Sequence, residues 1–316
     1  MIAYLVERRV QEGSWWLSPT SFIFFVGDLV VKQETMKVIT SVVEMQTRAL
    51  ALRKEGRVIG FVPTMGSLHR GHLSLVDLVK DKCDTRIVSI YVNPTQFGAG
   101  EDFEKYPRDL DRDLEMCRER GVDFVFTPPS AEVYEEDAST YVVEEKVGKG
   151  LCGNTRPTHF RGVATVCAKL FNLCQPHVVA LGQKDAQQVV VLKRMIRDLH
   201  FPIELLVGPI LREEDGLAMS SRNVYLEPRQ REDALLIYKA LLAAKSLVEE
   251  KGSRNVDRVK AEVQNTLRGG RYLRVNYVEI VDRDTMQPET EIVPGRSLLA
   301  VAAWVDQVRL IDNFSF

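Results

Sequence analysis

Two histidines three residues apart, His69 and His72, stand in the stretch Pro63-Thr-Met-Gly-Ser-Leu-His-Arg-Gly-His72. An apolar strand pattern precedes this stretch and a helical pattern follows it, so it spans a strand–helix junction. A helix start offers backbone N–H groups and the positive end of a dipole, which suit phosphate. Gly66 and Gly71 lack a Cβ where a phosphate or ribose must come close. Imidazoles at i and i+3 share one helix face and can donate hydrogen bonds to phosphate oxygens as negative charge develops. A metal site would need a matching third ligand, and zinc helices of the HExxH kind use i, i+4 spacing. Two half-exposed histidines at a helix start are the inert alternative; the junction behind a buried strand favours phosphate.

Three further polar loops follow predicted strands. In Asn93-Pro-Thr-Gln96, the amides of Asn93 and Gln96 suit the hydroxyl and carboxylate groups of a small polar substrate; a plain Asn-Pro turn is the alternative. In Leu181-Gly-Gln-Lys-Asp-Ala-Gln-Gln188, Gly182 ends a strand and Asp185 is placed to cap the next helix. Lys184 brings a point charge suited to phosphate, and Gln188 lies one turn further along the same face. A surface lysine beside a helix cap reads equally well there. In Arg212–Asn223, Asp215-Gly216 makes a turn, and Met219, Ser220, Ser221 and Arg222 supply two hydroxyls and a guanidinium useful around a triphosphate. A polar, flexible loop there could close over a substrate; an ordinary linker is the bland reading.

The elements that must position these loops alternate. Lys37–Thr40 reads as a strand, and Ser41 caps a helix to about Lys54 with Glu44 at the capping-box position. Val58–Val62, Thr85–Val92, Asp123–Pro128, His177–Leu181 and Ile203–Leu211 read as strands. Helical patterns lie between them: Leu73–Lys80, a charged one over Phe103–Gly121, Gly162–Gln175 and Asp185–Leu199. Such alternation belongs to α/β folds with a parallel sheet. The expected fold is therefore α/β: a Rossmann-like parallel sheet with helices on both faces. Beyond about Arg212 the pattern becomes two helices and then three strands, a smaller C-terminal α+β domain. The expected division is 36–212 and 213–316, preceded by an N-terminal extension over 1–35.

The 316 residues are 45% hydrophobic and 27% charged, with a net charge of −2, as expected of a soluble globular protein without an overall basic field for nucleic acid. Five cysteines without CxxC spacing argue against a zinc ribbon or a disulfide framework and point to a reducing cytoplasm. Residues 1–35 imitate a secretory signal in Arg8-Arg9 and a broken apolar stretch, but Glu7, Glu12, Asp28 and Pro19 interrupt it. No run is long enough for a membrane span.

Read together, the motifs resemble a known family. Pro63–His72 resembles the HxGH signature of nucleotidyltransferases, and Ala218-Met-Ser-Ser-Arg-Asn223 a variant of the KMSKS loop that accompanies it. With Val92-Asn-Pro-Thr-Gln-Phe97, Arg156-Pro-Thr-His-Phe-Arg-Gly-Val163 and Gly182–Gln188 in that order, the chain is similar to the pantoate–β-alanine ligase family over about Met36–Asn313. The resemblance implies two steps. Pantoate attacks the α-phosphorus of ATP, accompanied by Mg²⁺, and β-alanine then attacks the pantoyl adenylate. It implies that Met65, Gly66, Ser67, Leu68, His69, Arg70, Gly71 and His72 line the ATP site, with His72 the proton donor and His69 assisting. It implies further ATP contacts from Gly182, Gln183, Lys184 and Asp185, from Met219, Ser220, Ser221 and Arg222, and from the Leu211 backbone at the end of its strand. Gln96 and Gln188 would hold pantoate, with Gln96 also meeting β-alanine. No resident metal, nucleic acid or membrane is implied; a cytoplasmic homodimer is. The family often carries Glu where this chain has Arg70. A synthetase for transfer RNA would need an anticodon-binding region, a cytidylyltransferase would share the histidines but not Gly182–Gln188 with Ala218–Asn223, and a non-catalytic nucleotide-binding module would not need four polar loops on one sheet edge.

Overall fold

The computed structural model describes residues 36–316, and the expectation for residues 1–35 lies outside them. Residues 36–316 form one compact unit. Six parallel strands make the first sheet: β1 (Lys37–Ile39), β2 (Ile59–Thr64), β3 (Thr85–Ile90), β4 (Phe124–Phe126), β5 (Val178–Gly182) and β6 (Glu204–Gly208), in the order β1-β4-β3-β2-β5-β6. The chain runs outward from β2 through β3 to β4, then returns to the other side of β2 for β5 and β6. The strand order therefore reverses between β2 and β5, and ligands of open α/β sheets bind at such a switch point, beyond the strands' carboxyl ends.

Alternation along the strands fills two cores. Phe61, Ile87, Phe126, Val179 and Leu181 face α1 (Val42–Lys54), α4 (His159–Cys174) and α5 (Ala186–Asp198). Val62, Val88, Val125 and Ala180 face α2 (Arg70–Lys80) and α3 (Leu110–Glu119). Both faces are covered, which is why the strands read as unbroken apolar runs.

The C-terminal part packs α6 (Pro228–Glu249) and α7 (Val256–Leu267) on an antiparallel sheet of β7 (Leu273–Asp282), β8 (Ser297–Val305) and β9 (Val308–Ser315). On β8, Leu299, Val301 and Ala303 meet these helices, while Leu298 and Ala300 on its other face join the core of the parallel sheet. The continuous run Ser-Leu-Leu-Ala-Val-Ala-Ala-Trp-Val is thus a strand covered on both sides. Among the described residues no helix is long and apolar enough to cross a membrane.

Some local expectations are corrected. Ser41 does accept from the Glu44 N–H, at 3.5 Å, but the Glu44 carboxylate pairs with Lys37 instead of closing a capping box. Asp185 precedes α5 without making a side-chain cap bond. The charged helix starts only at Leu110, because Pro107 disfavours helical backbone at the residue before it. Strand β6 stops at Gly208 before Pro209, so Leu211 lies beyond the strand.

Candidate active site

The histidine loop is built from behind. Gly66 (φ +78°) and Ser67 (φ +50°) both take left-handed backbone, a conformation that comes easily to Gly and costs other residues energy. A Cβ on Gly66 would lie 2.9 Å from Ile90. Asp113 of α3, buried at 1% exposure, locks the bend by accepting from the Ser67 and Leu68 N–H groups, both at 2.7 Å. Burial raises the Asp113 carboxyl despite these two donors. Ser67 and Leu68, both expected at the nucleotide, spend their N–H groups on Asp113, and neither lines the cavity.

At the start of α2 the two histidines cap each other's turn. The Gly71 N–H donates to His69 Nδ1 at 3.1 Å, and the His69 N–H donates to His72 Nδ1 at 3.3 Å. Both Nδ1 atoms are acceptors, so in each neutral ring Nε2 carries the hydrogen. The rings stack with centroids 4.0 Å apart. A Cβ on Gly71 would press within 2.9 Å of the His69 ring, so a larger residue at position 71 would have to displace it. Burial, then the Lys184 charge, lowers His69 to about 4. Burial, helped by His69 and Lys184, holds His72 well below the usual histidine range. At neutral pH both rings are uncharged donors. The free N–H groups expected of this helix start are partly consumed by the histidines themselves.

These residues meet the other loops at one cavity of about 880 Å³, at the switch point. Met65, His69, Gly71 and His72 line it from the loop after β2, and Asn93 and Gln96 from the turn after β3. Gly182 ends β5, Lys184, Asp185 and Gln188 follow it, and Leu211 follows β6. Asn93 Nδ2 donates to Gln96 Oε1 at 3.1 Å, turning the Gln96 amide nitrogen towards Met65, where it lies 3.0 Å from Sδ. Of the glutamine pair, Gln187 is structural: it donates to the Val147 and Gly150 carbonyls and accepts from the Cys152 N–H.

The segment expected to be a flexible loop is a tethered hairpin. Arg212 bridges Ala218, Gly216 turns at φ +97°, and Arg231 pairs with Glu213 and Asp215 at 2.6 Å each. Ser221 Oγ donates to the Ser67 carbonyl at 3.1 Å. Met219, Ser220, Ser221 and Arg222 all reach the cavity, but the Arg222 guanidinium is bidentate to Asp102 at 2.7 and 2.9 Å. Four expected positions stay off its wall besides Ser67. Gly66 and Leu68 lie behind it, Arg70 points outward, and Gln183 donates to Asn313 of β9 at 3.2 Å.

Sequence reasoning gave no role to Glu101, Asp102, Asp113, Arg156 or His159. Arg156 lies just before α4 and His159 opens it; both stand in the Arg156–Val163 motif, which carried the resemblance without assigning either a role. Asp113 had no such signal in a run of charges.

A parallel sheet whose switch point gathers neutral histidines, a lysine and amides is an architecture suited to phosphate beside a small polar group. A sequence model of the family "Pantoate-beta-alanine ligase" matches residues 37–315; the chain belongs to that family and is a ligase. It is 50% identical over 278 residues to the pantothenate synthetase of Thermotoga petrophila, covering 88% of this chain and 99% of that protein. It is 50% identical over 281 residues to that of Syntrophus aciditrophicus, covering 89% and 98%. The crystal structure of pantothenate synthetase from Thermus thermophilus superposes with a TM-score of 0.83 at 44% identity, covering 89% of this chain and 99% of that one. A Francisella tularensis pantoate-β-alanine ligase, complexed with β-γ ATP and β-alanine, gives 0.74 at 31% identity, covering 89% and 97%.

Proposed function

We propose that this enzyme forms pantothenate from pantoate, β-alanine and ATP through a pantoyl adenylate, releasing pyrophosphate and then AMP. The observation that carries the reading is the family match over residues 37–315. The cavity's chemistry agrees with it.

In the first step a pantoate carboxylate oxygen attacks the α-phosphorus and the bond to pyrophosphate breaks. Charge builds on the phosphoryl oxygens, where fixed donors stabilise it without rearranging. His69 and His72 serve there through neutral Nε2–H groups, because their depressed pKa values exclude an imidazolium at neutral pH. On this reading His72 meets the transferring group first as a neutral hydrogen-bond donor through Nε2–H. Lys184 supplies the positive charge, with 23% of its side chain exposed. Gln96 and Gln188 hold the pantoate, and Met219–Arg222 with Gly182–Asp185 and Leu211 hold the nucleotide. In the second step the β-alanine amine attacks the acyl carbon, and AMP leaves. No enzyme nucleophile takes part, and enclosure limits hydrolysis of the adenylate.

Mg²⁺ enters with the triphosphate as part of the substrate. Among the described residues no group of three His, Cys, Asp or Glu could hold an ion alone. Asp185, a cavity carboxylate 3.9 Å from Lys184, is an oxygen donor of the kind Mg²⁺ accepts beside phosphates. In keeping with the resemblance, the enzyme works as a cytoplasmic homodimer.

The test is incubation with ATP, Mg²⁺, pantoate and β-alanine. AMP formation requires both organic substrates, while pantoate alone supports exchange of labelled pyrophosphate into ATP. AMP formation that ignores pantoate overturns the function, and absent exchange overturns the adenylate.

A further inference from the structure

We propose that Arg156 and His159 are positioning residues that hold Gln96 in register for the acid substrate. The inference rests on the reaction assigned above and adds a mechanical support to it.

Gln96 ends a short turn, Pro94–Gln96, at 9% exposure. Its backbone carbonyl accepts two hydrogen bonds: from Nδ1 of His159, which opens α4, at 2.9 Å, and from Nη2 of Arg156, just before α4, at 3.2 Å. Arg156 Nη1 also lies 3.2 Å from His159 Nε2. One tautomer satisfies all three contacts. Arginine can only donate, so His159 Nε2 is bare and Nδ1–H points at Gln96. Burial lowers His159 to about 4, so the ring stays in this neutral form across the working range.

Arg156 is itself fixed. Its Nε and Nη2 donate to Glu101 at 2.6 and 2.5 Å. Burial alone would raise the Glu101 carboxyl, but the guanidinium outweighs it and holds it low. Glu101 belongs to the same loop as Gln96, so Arg156 clips that loop at both places. With its charge offset and most of its N–H groups spent, Arg156 is poorly placed to grip a substrate itself.

The backbone contact is equally tight. A Cβ on Gly162 would lie 2.5 Å from the Thr95 carbonyl oxygen and 2.6 Å from the Gln96 backbone. The Gly162 carbonyl accepts from Asn93 Nδ2 at 3.2 Å, the same amide that fixes Gln96 Oε1. The first turn of α4 therefore sets both ends of Gln96: its carbonyl directly and its side chain through Asn93. What remains is the Gln96 Nε2 group, which spends one N–H on Met65 Sδ and keeps the second beside the histidine loop.

A displaced donor of this kind costs a well-oriented reaction about 10²-fold in rate. Arg156→Ala is expected to lower kcat/KM for pantoate by about that factor, mostly in kcat, while in a Gln96→Ala background it costs less than about threefold. A full loss in that background overturns the proposal, because Arg156 would then act independently of Gln96. His159→Asn places an amide N–H where Nδ1–H stands and is expected to recover most of what His159→Ala loses; His159→Gln is not. Equal loss in all three also overturns it. Should Arg156→Ala fail to fold, the His159 series in both backgrounds decides. If the wild-type chain makes no AMP with pantoate, the parent reading has failed instead.

Discussion

A histidine whose Nδ1 accepts a backbone N–H must lose that bond to gain a proton. For His69 and His72 the bonds lost would be the caps of α2, which gives the folded state a reason to refuse the proton beyond burial. The unfolded chain has no such reason and titrates near 6.5. Between about 6.5 and 4 the unfolded state therefore binds more protons than the folded one, and stability falls as pH falls through that window. The contribution is complete above 6.5. The expected melting temperature is flat in these groups from pH 7 to 8 and declines toward pH 4, more steeply in wild type than in His69→Ala. Activity should show no histidine inflection between pH 6 and 8; one that His72→Ala abolished would mean a charged ring is used. His72→Ala itself is expected to reduce AMP formation by about 10²–10³, the usual loss for one donor to developing charge, with the fold retained by circular dichroism.

Elements whose pattern is repeated over many residues were legible: all six parallel strands and the long helices, apart from the late start of α3 at Leu110, lie within a few residues of their expected bounds. What the pattern hid was single contacts between distant segments. Glu44 has a capping-box spacing but finds Lys37, and Asp185 has a cap's position but makes no cap bond. Asp113 sits in Leu-Asp-Arg-Asp-Leu, which reads as a solvated face, yet it is the post on which the histidine loop turns. Periodicity reports which face is apolar; it cannot say which charge is buried with a purpose. Asp113→Ala leaves two buried N–H groups without an acceptor, each costing about 1–3 kcal/mol. The expected result is a lower urea midpoint together with lost activity, because the bend at Ser67 is no longer held. Asp113→Asn, able to accept at one oxygen only, should fall between. An alanine variant as stable and active as wild type would remove Asp113 from the account.

At the scale of the molecule, the change of pattern near Arg212 was readable, but the way the two sheets share one cavity was not. Strand β9 lies at the edge of its sheet, and there Gln183 meets Asn313 and Arg212 meets Asp312. The latter pair is bidentate at 2.6 and 3.1 Å, with 3% of the Asp312 side chain exposed. Arg212 also donates to the Gly216 carbonyl at 3.1 Å and lies over the Tyr238 ring at 4.0 Å. It thereby fastens the Met219–Arg222 hairpin to the C-terminal sheet. Burial pushes the Asp312 carboxyl up and the guanidinium opposes it, so the pair is a costly one retained for what it holds in place. Breaking such a pair from one side strands the other charge, at about 3–5 kcal/mol, whereas replacing both with apolar groups of similar volume is often neutral. Asp312→Ala should therefore lower both the melting temperature and the affinity for ATP. Arg212→Met with Asp312→Leu should restore the melting temperature but not the affinity, since the hairpin has lost its directional tether. If the double variant recovers both, simple packing is enough to aim the hairpin. If it recovers neither, the ion pair is a structural requirement and its role in placing the nucleotide loop falls away.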